Sequence, residues 1–277
     1  MPEHGDSVDR AGEAWLLHQL RLFFLALQFF TRLPIPDWVG FREEWLGRIA
    51  RFFPLVGWIV GAVSALTVWA AAYLLPPLPA LLLALIAGVL VTGALHEDGF
   101  ADVCDGFGGG TTRERVLEIM RDSRIGVYGA LGTGLLLTLK LSCLAGLPAS
   151  ARVCALLAAH PLSRALAAGL MWRLDYARSE GKAAPVARRM PGGEYLFALL
   201  CGVLPAGAAV FLQLLAWQAV LAGAVLALLF ALYLVRLFSR SIGGYTGDCL
   251  GAVQQLSEAG FYLGLSSWYF LVNSGRL

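Results

Sequence analysis

Charge is scarce in this chain. Of its 277 residues 14% are Asp, Glu, Lys or Arg, against about 25% in an ordinary water-soluble domain, and that shortage excludes an aqueous surface of normal polarity. The formal net charge of +2 is too small for a nucleic-acid partner, and the bases lie at the ends of apolar runs, where membrane orientation explains them. The five cysteines, Cys104, Cys143, Cys154, Cys201 and Cys249, contain no CxxC pair. An odd, scattered set argues against a disulfide framework or a zinc knuckle and suits small buried hydrophobes. The opening MPEHGDSVDRAGEAW lacks a basic stretch leading straight into an apolar one with a small-residue cleavage site, so no cleavable signal peptide is expected.

Apolar length is what the chain has instead. Hydrophobic residues make up 58% of it, and a membrane span needs roughly 20 mostly apolar residues. Six segments qualify: 54–75, 79–95, 127–146, 152–171, 195–215 and 220–237. Residues 16–30 mix polar positions among leucines and aromatics, which suits a helix lying in the membrane interface. The apolar stretch 261–272 is short, either a seventh span or a docked helix. The expected fold is all-α, a polytopic transmembrane helix bundle of six to seven spans plus an N-terminal interfacial helix. It forms a single integral membrane domain over 1–277, with 1–14 disordered. Oligomeric state stays open, because glycines such as Gly57 and Gly61 allow close packing within a bundle or between subunits alike.

Lys and Arg near span ends mark the cytoplasmic side. Six precede the first span, four and five lie in the connections after the second and fourth, and two lie between Val235 and Gly260, together 17 of 21. The alternate connections are short and almost uncharged. The spans therefore pair as hairpins, with residues 97–125, 173–194 and 238–258 facing the cytoplasm. A bacterial cytoplasmic (inner) membrane protein with a cytoplasm-facing active site is expected.

The chemistry concentrates in HEDGFADVCDGFGGG, from His96 to Gly110. Asp98, Asp102 and Asp105 stand at i, i+4 and i+7 beside Glu97, and on a helix they fall within roughly 60° of arc. Carboxylates so close repel, and burying them at a span end costs several kcal/mol unless a cation neutralises them. Mg²⁺ takes hard oxygens and commonly shares its shell between one or two carboxylates and substrate phosphates, which points to phosphoryl-type transfer. The bland alternative is a solvated acidic turn. His96 is a candidate ligand or general base, although a lone interfacial His is usually just hydrogen-bonded.

Arginines suit polyphosphate through bidentate hydrogen bonds, and Arg113, Arg115, Arg121 and Arg124 surround Asp122. Arg113 and Arg115 are explained equally well as membrane anchors. His160, Ser163 and Arg164 sit in mid-span, where an Arg is expensive unless it faces the bundle interior, so Arg164 is expected to point at the acidic site. In GGYTGDCLGAVQQLSE, Asp248 is a candidate ligand from across the bundle, with helix capping by Thr246 or Asp248 as the alternative. Arg32 precedes Pro34 and Pro36, which favour an extended loop able to cover the site.

Six blocks carry a family resemblance: TRLPIP at 31–36, RFFPLVG at 51–57, HEDGFADVCDGFGGG at 96–110, RDSRIGVYG at 121–129, HPLSR at 160–164 and GGYTGDCLGA at 243–252. In this order, over about residues 23–272, the chain resembles the cobalamin synthase family, also called adenosylcobinamide-GDP ribazoletransferases. The resemblance implies joining of adenosylcobinamide-GDP to α-ribazole or its 5′-phosphate with release of GMP, and Mg²⁺ as cofactor. It implies metal ligation by Glu97, Asp98, Asp102, Asp105 and Asp248; because a metal-bound hydroxyl needs only a nearby carboxylate to take its proton, Asp102 or Asp105 is the candidate general base, with His96 a weaker one. Arg121, Arg124, Arg164 and Arg32 remain the candidate substrate-binding residues.

Asp102 to Gly106 is also similar to the Asp-x-x-Asp-Gly signature of CDP-alcohol phosphotransferases, but the Ala-Arg pair and the two later acids of that signature are missing. A lipid-headgroup transferase is therefore the alternative enzyme. An ion-coupled transporter is the alternative from another class, against which stand the absence of an internal repeat and the clustering of acids at one edge.

Overall fold

The computed structural model describes residues 3–177 and 189–276, with side chains from residue 15 onward. Its helices are α1 (Glu3–Phe30), α2 (Glu43–Ile49), α3 (Phe53–Ala71), α4 (Pro77–Thr92), α5 (Leu95–Gly109) and α6 (Arg113–Ile119). They continue with α7 (Val127–Ala145), α8 (Ala149–Arg173), α9 (Gly192–Phe211), α10 (Trp217–Ser241) and α11 (Gly247–Asn273). Of the stretch 1–14 expected to be disordered, residues 1 and 2 lie outside the described residues and 3–14 are helical backbone. Residues 178–188 of the expected 173–194 connection also lie outside.

Among the described residues five helices are long and apolar enough to cross a membrane, Glu43–Ala71 counting as one. The expected second span differs. α4 and α5 are long and apolar enough only together, and they are bent by 90° where they join, so the segment 79–95 falls in a bent pair of helices whose second arm carries the acidic motif. Prolines begin several of these helices, Pro54 in α3 and Pro77 in α4, where the missing N–H would have had no partner in any case.

The short apolar stretch 261–272 turns out to be the end of α11, a helix of 27 residues and so about 40 Å long, enough to cross a bilayer. It is not among the helices apolar enough to count as a span, and it is packed against α5, α7, α8 and α10. Gln254, Gln255, Ser257 and Glu258 are buried, and the neighbouring helices supply Gln254, Gln255 and Glu258 with the polar partners that lipid lacks. The outward faces of the apolar spans α3, α7, α9 and α10 show Leu66, Leu135, Leu200 and Leu228, as a lipid-facing belt requires.

Small residues draw the inner helices together. A Cβ at Gly57 would lie 2.7 Å from the His160 carbonyl oxygen, and one at Gly61 would lie 2.9 Å from that of Leu156. The Gly57–Gly61 face therefore seats α3 on α8 within one chain.

Candidate active site

The site begins with a failed helix. Gly93 (φ 64°) and Ala94 (φ 60°) are both left-handed, and a left-handed Ala costs roughly 1–2 kcal/mol. Their N–H groups reach back to the carbonyls of Leu90 and Val89, closing α4 in the manner of a Schellman cap. Arg32 reinforces the break: its N–H donates to the Val91 carbonyl at 2.8 Å, and its side chain lies across Gly93, leaving no space there for a Cβ. Arg32 thus supports the corner and does not line the cavity described next.

α5 leaves this corner and crosses the start of α11. The crossing is tight, since a Cβ at Gly99 would stand 3.0 Å from the Cα of Asp248 and one at Gly251 would stand 2.9 Å from the His96 carbonyl oxygen. Two glycines therefore bring Asp248 beside the acidic face of α5. Thr246 caps α11 by accepting the N–H of Cys249 and donates to Asp248 Oδ2 at 3.2 Å. Capping and cavity lining, alternatives on sequence grounds, fall to these two different residues.

A cavity of about 410 Å³ opens here, lined by Asp98, Asp102 and Asp248, by Arg121 and Asp122, and by an apolar wall that includes Phe29, Phe30 and Phe53. Tyr176 also lines it, held by a bridge that pairs Ala177 N–H with the Tyr245 carbonyl and Tyr245 N–H with that of Asp175. Burial pushes the Tyr245 phenol above its usual range. Arg113 ties α6 to the same turn by donating to the Ile242 carbonyl at 3.0 Å, and Arg115 pairs with Glu118. Arg124 chelates Asp122 at 2.7 Å and does not line the cavity; its hydrogen bonds hold the Asp122 carboxyl down at about 2.

Asp105 departs from its expected place. Its Oδ2 accepts the N–H of Gly126 at 2.7 Å and its Oδ1 that of Gly129 at 2.8 Å, so it caps the start of α7 from across the bundle and does not line the cavity. Glu97 and Arg164 depart in the other direction. Both border a second, inner cavity of about 20 Å³, room for one water molecule. Arg164 is 1% exposed, lies over the ring of Phe53 and donates to the His160 carbonyl, on the inner side of α5. His96 separates the two cavities, stacked on Phe53 at 5.5 Å, and neither of its ring nitrogens has a hydrogen-bond partner.

Lys140 and Glu258, each 2% exposed, form an ion pair of 3.1 Å in the inner region. Sequence reasoning passed over both. The signal was available: Lys140 interrupts an apolar span, where an ionisable residue is expensive enough to imply a partner.

Among the described residues no group of three His, Cys, Asp or Glu side chains is gathered closely enough to hold a metal unaided. Asp98, Asp102 and Asp248 around one cavity are nonetheless a hard-oxygen set. That chemistry fits Mg²⁺, whose shell commonly leaves places for substrate phosphate and water.

A family described as cobalamin-5-phosphate synthase matches residues 22–266. The chain belongs to that family. Adenosylcobinamide-GDP ribazoletransferases of Shewanella frigidimarina and Leptothrix cholodnii are 44% and 47% identical to it, each alignment covering 91% of this chain and 97% of the relative. The one from Ralstonia nicotianae is 46% identical over 88% of this chain and 94% of its own. No solved structure matches significantly. Membership of the cobalamin-5-phosphate synthase family makes the chain a transferase of cobalamin biosynthesis and does not favour the lipid-headgroup or transporter alternatives.

Proposed function

We propose that this chain joins adenosylcobinamide-GDP to α-ribazole or its 5′-phosphate, releasing GMP, in a Mg²⁺-dependent phosphotransfer at the cytoplasmic face of a bacterial inner membrane. The observation that carries the reading is the convergence of Asp98, Asp102 and Asp248 with Arg121 on one cavity that also has an aromatic wall. A diphosphate needs cations, and a large corrinoid needs apolar surface; both are offered side by side.

Asp98, Asp102 and Asp248 would hold the ion, and Arg121 would hold phosphate oxygens through its planar fork. When bound, Mg²⁺ would supply charge neutralisation on the diphosphate and acidify the attacking ribose hydroxyl. Asp102 is the better placed of the two candidate bases, because the oxygens of Asp105 serve α7. Phe29, Phe30 and Phe53 would exclude water beside the reacting phosphorus, strengthening these charge interactions. Catalysis on this reading is largely positioning and electrostatics.

The test is purified protein in liposomes supplied with adenosylcobinamide-GDP and α-ribazole, with and without Mg²⁺, reading GMP and corrinoid product together. Metal-dependent release of both is expected. Folded protein that gives neither, yet turns over a CDP-alcohol pair, would replace the reading.

A further inference from the structure

The inner region is a continuous chain of hydrogen bonds across four helices. Lys140 of α7 pairs with Glu258 of α11 at 3.1 Å and donates to Gln255 Oε1 at 2.6 Å. Gln255 Nε2 then donates to Glu97 Oε1 of α5 at 2.8 Å. On the other side of Glu258, Gln254 donates to Oε2 at 2.6 Å while His160 of α8 stands 3.3 Å from the same oxygen. Every member but Glu97 is buried.

The link to Glu97 has a geometric consequence. α5 starts directly after two left-handed residues, so its rotation is not inherited from α4 through a continuous helix and is set by the contacts α5 itself makes. Neighbouring helix positions point about 100° apart, so fixing Glu97 toward the interior turns Asp98, and Asp102 one turn later, toward the outer cavity. We propose that Gln255, anchored by Lys140 and Glu258, is a positioning residue that sets the rotation of α5 through Glu97, and that Glu97 serves in this link instead of ligating metal. This rests on the reading of Asp98, Asp102 and Asp248 as the cation-binding face.

The variant Gln255→Glu keeps side-chain volume and a partner for Lys140 but sets a carboxylate against Glu97. Gln255→Leu removes the link without adding charge. The double variant E97Q/Q255E exchanges the partners and restores a donor and an acceptor across the gap to residue 97, while, like Q255E alone, it gives up the 2.9 Å bond that Gln255 Nε2 donates to Gln254 Oε1. Two readouts are taken on protein in liposomes: Mn²⁺ binding by electron paramagnetic resonance without substrate, and kcat and KM in the GMP-release assay.

Expected are near-normal thermal melting of both single variants, Mn²⁺ affinity weakened by about tenfold, and a kcat loss on the order of 100-fold, the scale of a misplacement near 1 Å, with KM little changed. The double variant should recover both. The proposal is overturned if the single variants bind Mn²⁺ and turn over normally, or if the double variant stays as weak as they are, which would make the Glu97 carboxylate itself a ligand. Failure of both single variants to fold would overturn it too, making the link structural. If the wild type gives no GMP while Mn²⁺ binding follows the expected pattern, the reaction assigned above falls and the positioning role stands.

Discussion

Asp105 holds the start of α7 by accepting the backbone N–H of Gly126 at 2.7 Å. A second bond, from Gly129, uses its other oxygen, and a Cβ at either glycine would strike the carboxylate. The third aspartate of the acidic motif therefore organises the helix that delivers Lys140, whereas the first two face the cavity.

Asp105→Asn should destabilise the protein by about 1–2 kcal/mol, the scale of a lost cap, because the amide offers one acceptor oxygen in place of two. A lowered melting temperature with an unchanged Mg²⁺ half-saturation is expected. An unchanged melting temperature with a raised Mg²⁺ requirement would return Asp105 to the metal site.

Asp102→Asn should act in the opposite way. It leaves volume and helix intact while removing a charge from the cavity, so turnover should fall by about 10³-fold with normal thermal melting. Undiminished turnover would remove Asp102 from the chemistry.

The two arginines after α6 should separate. Arg121 lines the cavity and Arg124 is 87% exposed against Asp122, so Arg121→Gln is expected to raise KM for the corrinoid substrate by about tenfold, about 1.4 kcal/mol of binding, and Arg124→Gln to change it by less than twofold. Equal effects would place Arg124 in contact with substrate.

The Asp122–Arg124 pair also has a pH signature. The Asp122 carboxyl is lowered from 3.8 to about 2, so its contribution is fully present above the unfolded value and is lost as pH falls from there through about 2. Being exposed, it should be small: Asp122→Asn should melt almost as the wild type does at pH 7, and any difference should shrink below the unfolded value and vanish only below about pH 2. A difference that grows on acidification would contradict the pairing.

Orientation is checked with reporters. One placed after Leu75 should lie outside the cytoplasm and one at Gly110 inside it, following the excess of Lys and Arg on that side. The reverse pattern would move the active site to the other face.

Composition and spacing are enough to read a helical membrane bundle, the position of most spans, and a dense acidic motif at a helix end, because hydrophobic length and charge density are local properties of the chain. The extent of α11 is not legible in the same way, since its polar residues are buried against other helices that supply partners, and no single segment reports that. The i, i+4, i+7 spacing placed Asp98, Asp102 and Asp105 on one helix face but could not say what each would meet. Close crossings at Gly99 and Gly251, the corner at Gly93 and Ala94, and the approach of α7 decided that two aspartates join Asp248 at the cavity. They left Asp105 as a cap and put Glu97 with Lys140 and Glu258 on the inner side. Partner choice among buried polar groups is a matter of tertiary distance, because each must find a hydrogen bond wherever packing brings one within reach.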